Sequence, residues 1–70
     1  MANITCPLPG KILEVKVEIG QQVSEGQELL TIESMKMEMP IVSTASGTVK
    51  AIHVKPGQAV QGETVLVEIQ

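Results

Sequence analysis

The sequence has 70 residues, 43% of them apolar and none aromatic, and a formal net charge of −3. We predict one domain over residues 1–70, because a chain this short builds a thin core and leaves no room for a doubly wound nucleotide-binding fold. The negative charge and the absence of aromatic side chains on which bases could stack exclude nucleic acid as a partner.

The amino-terminal part of the chain contains Cys6, the only cysteine, which therefore has no partner for an internal disulfide. No apolar run approaches the roughly 18 residues that a membrane helix needs, so we expect no membrane insertion. The first residues lack the features of a signal peptide, and a reducing, cytoplasmic environment is expected. Cys6 itself is predicted to be a small buried residue in the first strand.

Apolar residues then alternate with polar ones, with a period of two. Leu13, Val15, Val17 and Ile19 alternate with charged residues, which predicts a half-buried strand over 13–19, and residues 65–69 repeat the pattern. Turn signals separate such segments, and no helical spacing appears between them. The glycines at positions 10, 20, 47 and 57 are predicted to be turn residues with unusual φ angles.

The two halves of the chain resemble each other. A shift of 37 positions places Gly10 on Gly47 and Gly20 on Gly57, and a gap of one residue then places Gly26 on Gly62. The internal repeat is thus predicted over 10–33 and 47–69. Two such units predict an all-β flattened barrel or sandwich, with about eight strands in two pseudo-twofold related four-stranded halves.

Residues 33–39 join the two halves, and we predict that they form a tight hairpin at an exposed tip of the molecule. Lys36 lies at its apex, with Met35 before it and Met37 after it. A lysine amine is a nucleophile once deprotonated, and flexible methionines form an adaptable contact surface for several partners. An ordinary solvated turn lysine is the alternative interpretation of Lys36 by itself.

The segment Met35-Lys36-Met37-Glu38, preceded by Glu33, resembles the attachment motif of biotin carboxyl carrier domains. The similarity extends along the whole chain, through Pro9-Gly10 and Ser46-Gly47. Two departures stand out: Ser34 replaces the usual alanine, and the thumb of the acetyl-CoA carboxylase carrier is missing. The chain is therefore more similar to the carrier domains of pyruvate and propionyl-CoA carboxylases and decarboxylases, or to free-standing attachment proteins.

The resemblance implies that Lys36 carries covalent biotin, attached by a biotin protein ligase. Met35 and Met37 would serve in ligase and partner recognition, with Glu33 as a further ligase contact. Biotin would carry carboxylate between a biotin carboxylase and a carboxyltransferase or decarboxylase. The chain would then be a carrier and not an enzyme, since no acid–base or nucleophile–base pair is apparent.

Three alternatives remain open from the sequence. Lipoyl domains share the fold and acylate the equivalent lysine, so lipoate is the alternative cofactor, alone or beside biotin. An unmodified adaptor barrel is a second possibility. Soft thioethers at alternate positions also suit Cu(I), with Cys6 or His53 as further ligands, although no spacing links these two to the hairpin and no metal site is expected. His53 is predicted to be a solvent-facing strand residue.

Overall fold

The computed structural model describes residues 2–70, which form eight β-strands and no helix. The strands are β1 (Ala2–Thr5), β2 (Gly10–Val15), β3 (Gln22–Val23), β4 (Glu28–Ser34), β5 (Met37–Val42), β6 (Gly47–Ile52), β7 (Ala59–Val60) and β8 (Val65–Ile69). They make two antiparallel four-stranded sheets, in the orders β1-β8-β6-β3 and β5-β4-β2-β7. This confirms the predicted all-β architecture. Among these residues there is no helix with the length and hydrophobicity that a membrane crossing requires.

Each sheet takes two strands from each half of the chain. β3 joins β6 at the edge of one sheet, and β7 joins β2 at the edge of the other. The short strands β3 and β7 therefore each pair with a strand from the other half of the chain. A sheet of this kind cannot form from one half alone, so the two repeats must fold together.

The repeat is related by a constant offset of 37 residues, without the predicted gap. Lys16 N–H donates to Leu29 O and His53 N–H donates to Leu66 O, each at 2.8–2.9 Å. Leu29 therefore corresponds to Leu66, and the proposed match of Gly26 with Gly62 is wrong. The residue equivalent to Gly26 is Glu63, and both have positive φ angles, 88° and 66°. Matching glycine with glycine introduces a false gap of one residue, because a glutamate and not a glycine occupies the left-handed position in the second half.

The core lies between the sheets and is made of aliphatic side chains, with Ile12, Leu29, Leu30, Ile32 and Leu66 fully buried. The predicted strand over 13–19 is wrong in extent, but its alternation holds as far as Val17, since Leu13 and Val15 are half-buried, Val17 is buried and the residues between them are exposed. β2 ends at Val15, and Ile19 is 66% exposed. The ladder between β2 and β4 shifts between Ile12 and Glu14, and this bulge places the fully buried Ile12 directly before the alternating residues, which the pattern did not indicate.

Of the four glycines predicted to have unusual φ angles, only two have them. Gly20 and Gly57 do have positive φ angles, but Gly10 and Gly47 begin strands β2 and β6 and do not. A Cβ on Gly10 would lie 2.6 Å from Glu33 O, and one on Gly47 would lie 2.5 Å from Gln70 O. Close backbone approach, rather than an unusual φ angle, excludes a side chain at these two positions.

Candidate functional site

The hairpin between β4 and β5 has a two-residue turn made of Met35 and Lys36, closed by the pairing of Ser34 with Met37. Both turn residues are left-handed, with φ angles of 54° and 63°. Two-residue hairpins favour positive φ at both positions, which usually selects asparagine and glycine. For other residues the conformation costs about 1–2 kcal/mol each, so the rest of the fold must hold Met35 and Lys36 in place.

The turn presents one cationic side chain between two apolar ones. Met35 is 88% exposed and Met37 67%, and Lys36 is exposed as well. Within residues 2–70, the Lys36 amine has no ion-pair partner. An exposed amine between two flexible thioethers is available to a reagent and to a protein that recognises both sides of it. The geometry therefore fits chemistry at Lys36 that a second protein performs.

The start of the turn is supported by contacts that the sequence pattern did not indicate. Ser34 is buried, and its hydroxyl donates to Pro9 O at 2.7 Å. Gly10, the next residue, passes so close to Glu33 that no side chain fits there. Ser34 and Pro9 are 25 positions apart in the chain, so only the fold reveals the contact.

Glu33 and Glu38 face each other across the hairpin, one residue pair below the closing pair. Lys11 on β2 is the next residue in the same row, opposite Glu33. All three side chains are exposed. Like charges directly opposite each other destabilise a strand pair, so the Glu33–Glu38 pair adds to the strain on the turn. These carboxylates give the face beside Lys36 a negative character.

The residues of the alternative copper site do not converge. Met39 packs partly buried against the core, whereas Met35 and Met37 are exposed. Cys6 is buried just after β1 rather than within it. His53 is exposed as predicted, but it lies just after β6 rather than within a strand, and it contacts Glu68 at 2.5 Å on β8, the neighbouring strand of the same sheet. The part of the chain that the structure describes also contains no cluster of three or more His, Cys, Asp or Glu residues suited to a metal ion.

Ala2 and Gln70 lie away from the turn. β1 runs from Ala2 towards the loop over 6–9, which bonds to the hairpin through Pro9, and β8 runs from the same region to Gln70. By the 37-residue offset, Gln70 is the equivalent of Glu33 on the other sheet.

Comparison with known proteins gives one family. The family model described as "Biotin-requiring enzyme" matches residues 2–69. A biotin carboxyl carrier protein of Streptococcus mutans is 51% identical over 67 residues, which cover 96% of this chain and 52% of that protein. The propionyl-CoA carboxylase alpha chain of Ruegeria pomeroyi is 42% identical over 67 residues, 96% of this chain and 10% of that one.

A solved structure has the same fold. The urea carboxylase of Kluyveromyces lactis superimposes with a TM-score of 0.93 at 28% identity, over 99% of this chain and 6% of that enzyme. The chain therefore spans about half of the S. mutans carrier protein and a tenth or less of the two carboxylases.

Proposed function

Because the chain belongs to the family of biotin-requiring enzymes, we propose that it is a biotin carboxyl carrier with the cofactor attached to Lys36 Nζ. The observation that supports this most directly is the position of Lys36 at an exposed two-residue turn, flanked by exposed Met35 and Met37. The relatives named above are a biotin carboxyl carrier protein and two carboxylases, which agrees with the same role.

The exposed amine fits the chemistry of attachment. Lys36 Nζ, once deprotonated, attacks the acyl carbon of an activated biotinyl adenylate that a biotin protein ligase supplies. The C–N amide bond forms, the bond from carbon to the adenylate oxygen breaks, and the attacking nitrogen gives up a proton. The lysine charge disappears, so the formal net charge of the chain changes from −3 to −4.

The chain then acts as a tether. When bound, biotin supplies the group that carries carboxylate between a biotin carboxylase and a carboxyltransferase or decarboxylase. Lys36 holds that group at the outer end of the molecule, away from the chain ends, which raises its effective concentration at both active sites. The catalytic groups belong to those partners, and the chain contributes position and reach. Met35 and Met37 give the partners, including the ligase, an apolar contact on both sides of the arm, and Glu33 gives the ligase a charged one.

The experiment is intact-mass measurement of the protein after incubation with a biotin protein ligase and, separately, with a lipoate ligase. The matched control is Lys36→Arg, which keeps the charge but removes the primary amine. We expect a single biotinyl addition to the wild type and none to the variant, with unchanged thermal unfolding. Biotinylation that persists in Lys36→Arg would contradict the assignment of the residue. A lipoyl addition alone would make the chain a lipoyl carrier, and no addition by either ligase would favour an unmodified adaptor.

A further inference from the structure

The two most exposed large apolar residues in the part of the chain that the structure describes are methionines on either side of Lys36. Met35 is 88% exposed and Met37 67%, whereas Met39, two residues further along β5, is partly buried against the core. The hairpin therefore presents two thioethers to solvent and keeps a third one packed. A solvated thioether is open to a soluble oxidant, and a packed one is protected from it.

Neither of the exposed methionines belongs to the hydrophobic core. Met35 is the first residue of the turn, with a φ angle of 54°, and Met37 pairs with Ser34 through the backbone. The fold therefore uses the backbone of these two residues and leaves their side chains in water. A chemical change at either sulfur alters the surface beside Lys36 without removing a packing contact from the core.

The change open to these sulfurs is oxidation by a peroxide. The sulfur lone pair attacks one oxygen of hydrogen peroxide, the O–O bond breaks, an S–O bond forms and water is released. The sulfur loses two electrons, and the product is methionine sulfoxide, which is polar. A methionine sulfoxide reductase reverses the step with two thiol groups, which become a disulfide while the oxygen leaves as water. The surface beside Lys36 can therefore change from apolar to polar and back.

We propose that Met35 and Met37 form a reversible oxidation site that controls the modification of Lys36: the ligase binds the thioether form of the hairpin tightly and the sulfoxide form weakly. This inference rests on the proposed function, in which both methionines contact the ligase. A sulfoxide oxygen that is buried against an apolar partner surface without a hydrogen bond opposes binding. Lys36 Nζ itself is unchanged, so oxidation lowers the affinity and not the rate at saturation.

The test measures KM and kcat for biotinylation by a biotin protein ligase before and after treatment with hydrogen peroxide, which is removed before the assay. Peptide mass mapping locates each added oxygen. We expect Met35 and Met37 to be oxidised before Met39, and Cys6, which is 1% exposed, to stay reduced. KM should rise about tenfold with kcat unchanged, the factor that a polar group buried without a partner corresponds to. Thermal unfolding should not change.

Two variants and a reductase locate the effect. The double variant Met35→Leu/Met37→Leu lacks the exposed sulfurs, so its KM, whatever the starting value, should not respond to peroxide. Met39→Leu is the matched control, because it removes a methionine of the same hairpin with little change in volume and keeps the two exposed ones. Its KM should rise on oxidation as in the wild type. Treatment of the oxidised wild type with methionine sulfoxide reductase should restore the original KM.

Several outcomes would overturn the inference. An unchanged KM in protein that is oxidised at both Met35 and Met37 contradicts it directly. An equal rise in KM for the oxidised double variant would assign the effect to another residue. Oxidation of Met39 at the same rate, with a loss of thermal stability, would assign it to damage of the core. If the untreated wild type takes no biotin, the proposed function fails and this inference with it, whereas biotinylation that is insensitive to oxidation overturns the inference alone.

Discussion

Cys6 and Ser43 lie just after the equivalent strands β1 and β5, 37 residues apart, and make the same hydrogen bond with different side chains. Cys6 Sγ donates to Leu8 O at 2.7 Å, and Ser43 Oγ donates to Ala45 O at 2.5 Å. Each residue is only 1% exposed. Each residue also exchanges backbone hydrogen bonds with a turn of the other half of the chain, Cys6 with the turn before β8 and Ser43 with the turn before β4. The thiol thus acts here as a donor that stabilises a loop.

This equivalence predicts that the substitution Cys6→Ser is tolerated. Cys6→Ser should unfold in urea with a free energy within about 1 kcal/mol of the wild type, since a hydroxyl makes the same bond at position 43. Cys6→Ala removes the donor and leaves a small void, and should cost about 1–3 kcal/mol. If Cys6→Ser were as unstable as Cys6→Ala, packing rather than donation would explain the buried thiol.

The close approach of β6 to the carboxyl terminus gives a second prediction. A Cβ on Gly47 would meet Gln70 O at 2.5 Å and Ile69 Cγ2 at 2.9 Å. Because a backbone atom cannot move aside as a side chain can, Gly47→Ala should lower the free energy of unfolding by about 1–3 kcal/mol. Gly47→Val should cost more. Thermal and urea unfolding measure both.

Gly62 provides the matched control for that prediction. Its φ angle is not positive, and an added Cβ would have its nearest neighbours at 3.9 and 4.0 Å, in ordinary contact. Gly62→Ala should therefore leave stability unchanged or raise it by about 0.4–1 kcal/mol, by restricting the unfolded chain. Equal destabilisation by the alanines at 47 and 62 would show that the clash is not the cause.

Much of this fold is predictable from short-range patterns. A period of two, aliphatic residues and regular turn signals predict short antiparallel strands, and the 37-residue similarity predicts two related units. The position of Lys36 at an exposed turn follows from its place between those units. These features depend on neighbouring residues or on a simple repeat, which a single sequence displays.

The remainder depends on contacts between distant residues. A bulge in β2 decides that Ile12 rather than Leu13 is fully buried, and no local signal marks it. The exchange of β3 and β7 between the sheets depends on pairing across the two repeats. The bond from Ser34 to Pro9 likewise joins two segments that the fold alone brings together.

The ion pairs of Lys16 should make the free energy of unfolding depend on pH. Its ammonium group hydrogen-bonds to Glu28 and lies 3.6 Å from Glu14, and the hydrogen bond to Glu28 is the main reason that the pKa of Lys16 is raised above 10.5. A raised lysine pKa stabilises the fold below the unfolded value. That stabilisation is lost as pH rises through the folded pKa.

Comparison of Lys16→Met with the wild type above and below pH 10.5 tests this. The wild type should lose its advantage over Lys16→Met as pH rises through that range, and added salt should reduce the advantage because the pair is exposed. Lys50→Met is the control, since Lys50 is exposed and has no ion pair within the described residues. A difference between wild type and Lys16→Met that stays constant with pH would contradict the assignment.

Glu63 has a left-handed backbone conformation, and the equivalent position in the first half of the chain is occupied by Gly26. Its φ angle is 66°, and its side chain is exposed and makes no ion pair within residues 2–70. Glu63→Gly should therefore raise the free energy of unfolding by about 0.5–1 kcal/mol, the relief of the left-handed strain less the entropy that glycine loses on folding. Glu25→Gly, at an exposed position without positive φ, should lower stability instead. If both variants lost stability equally, the strain at Glu63 would be too small to matter.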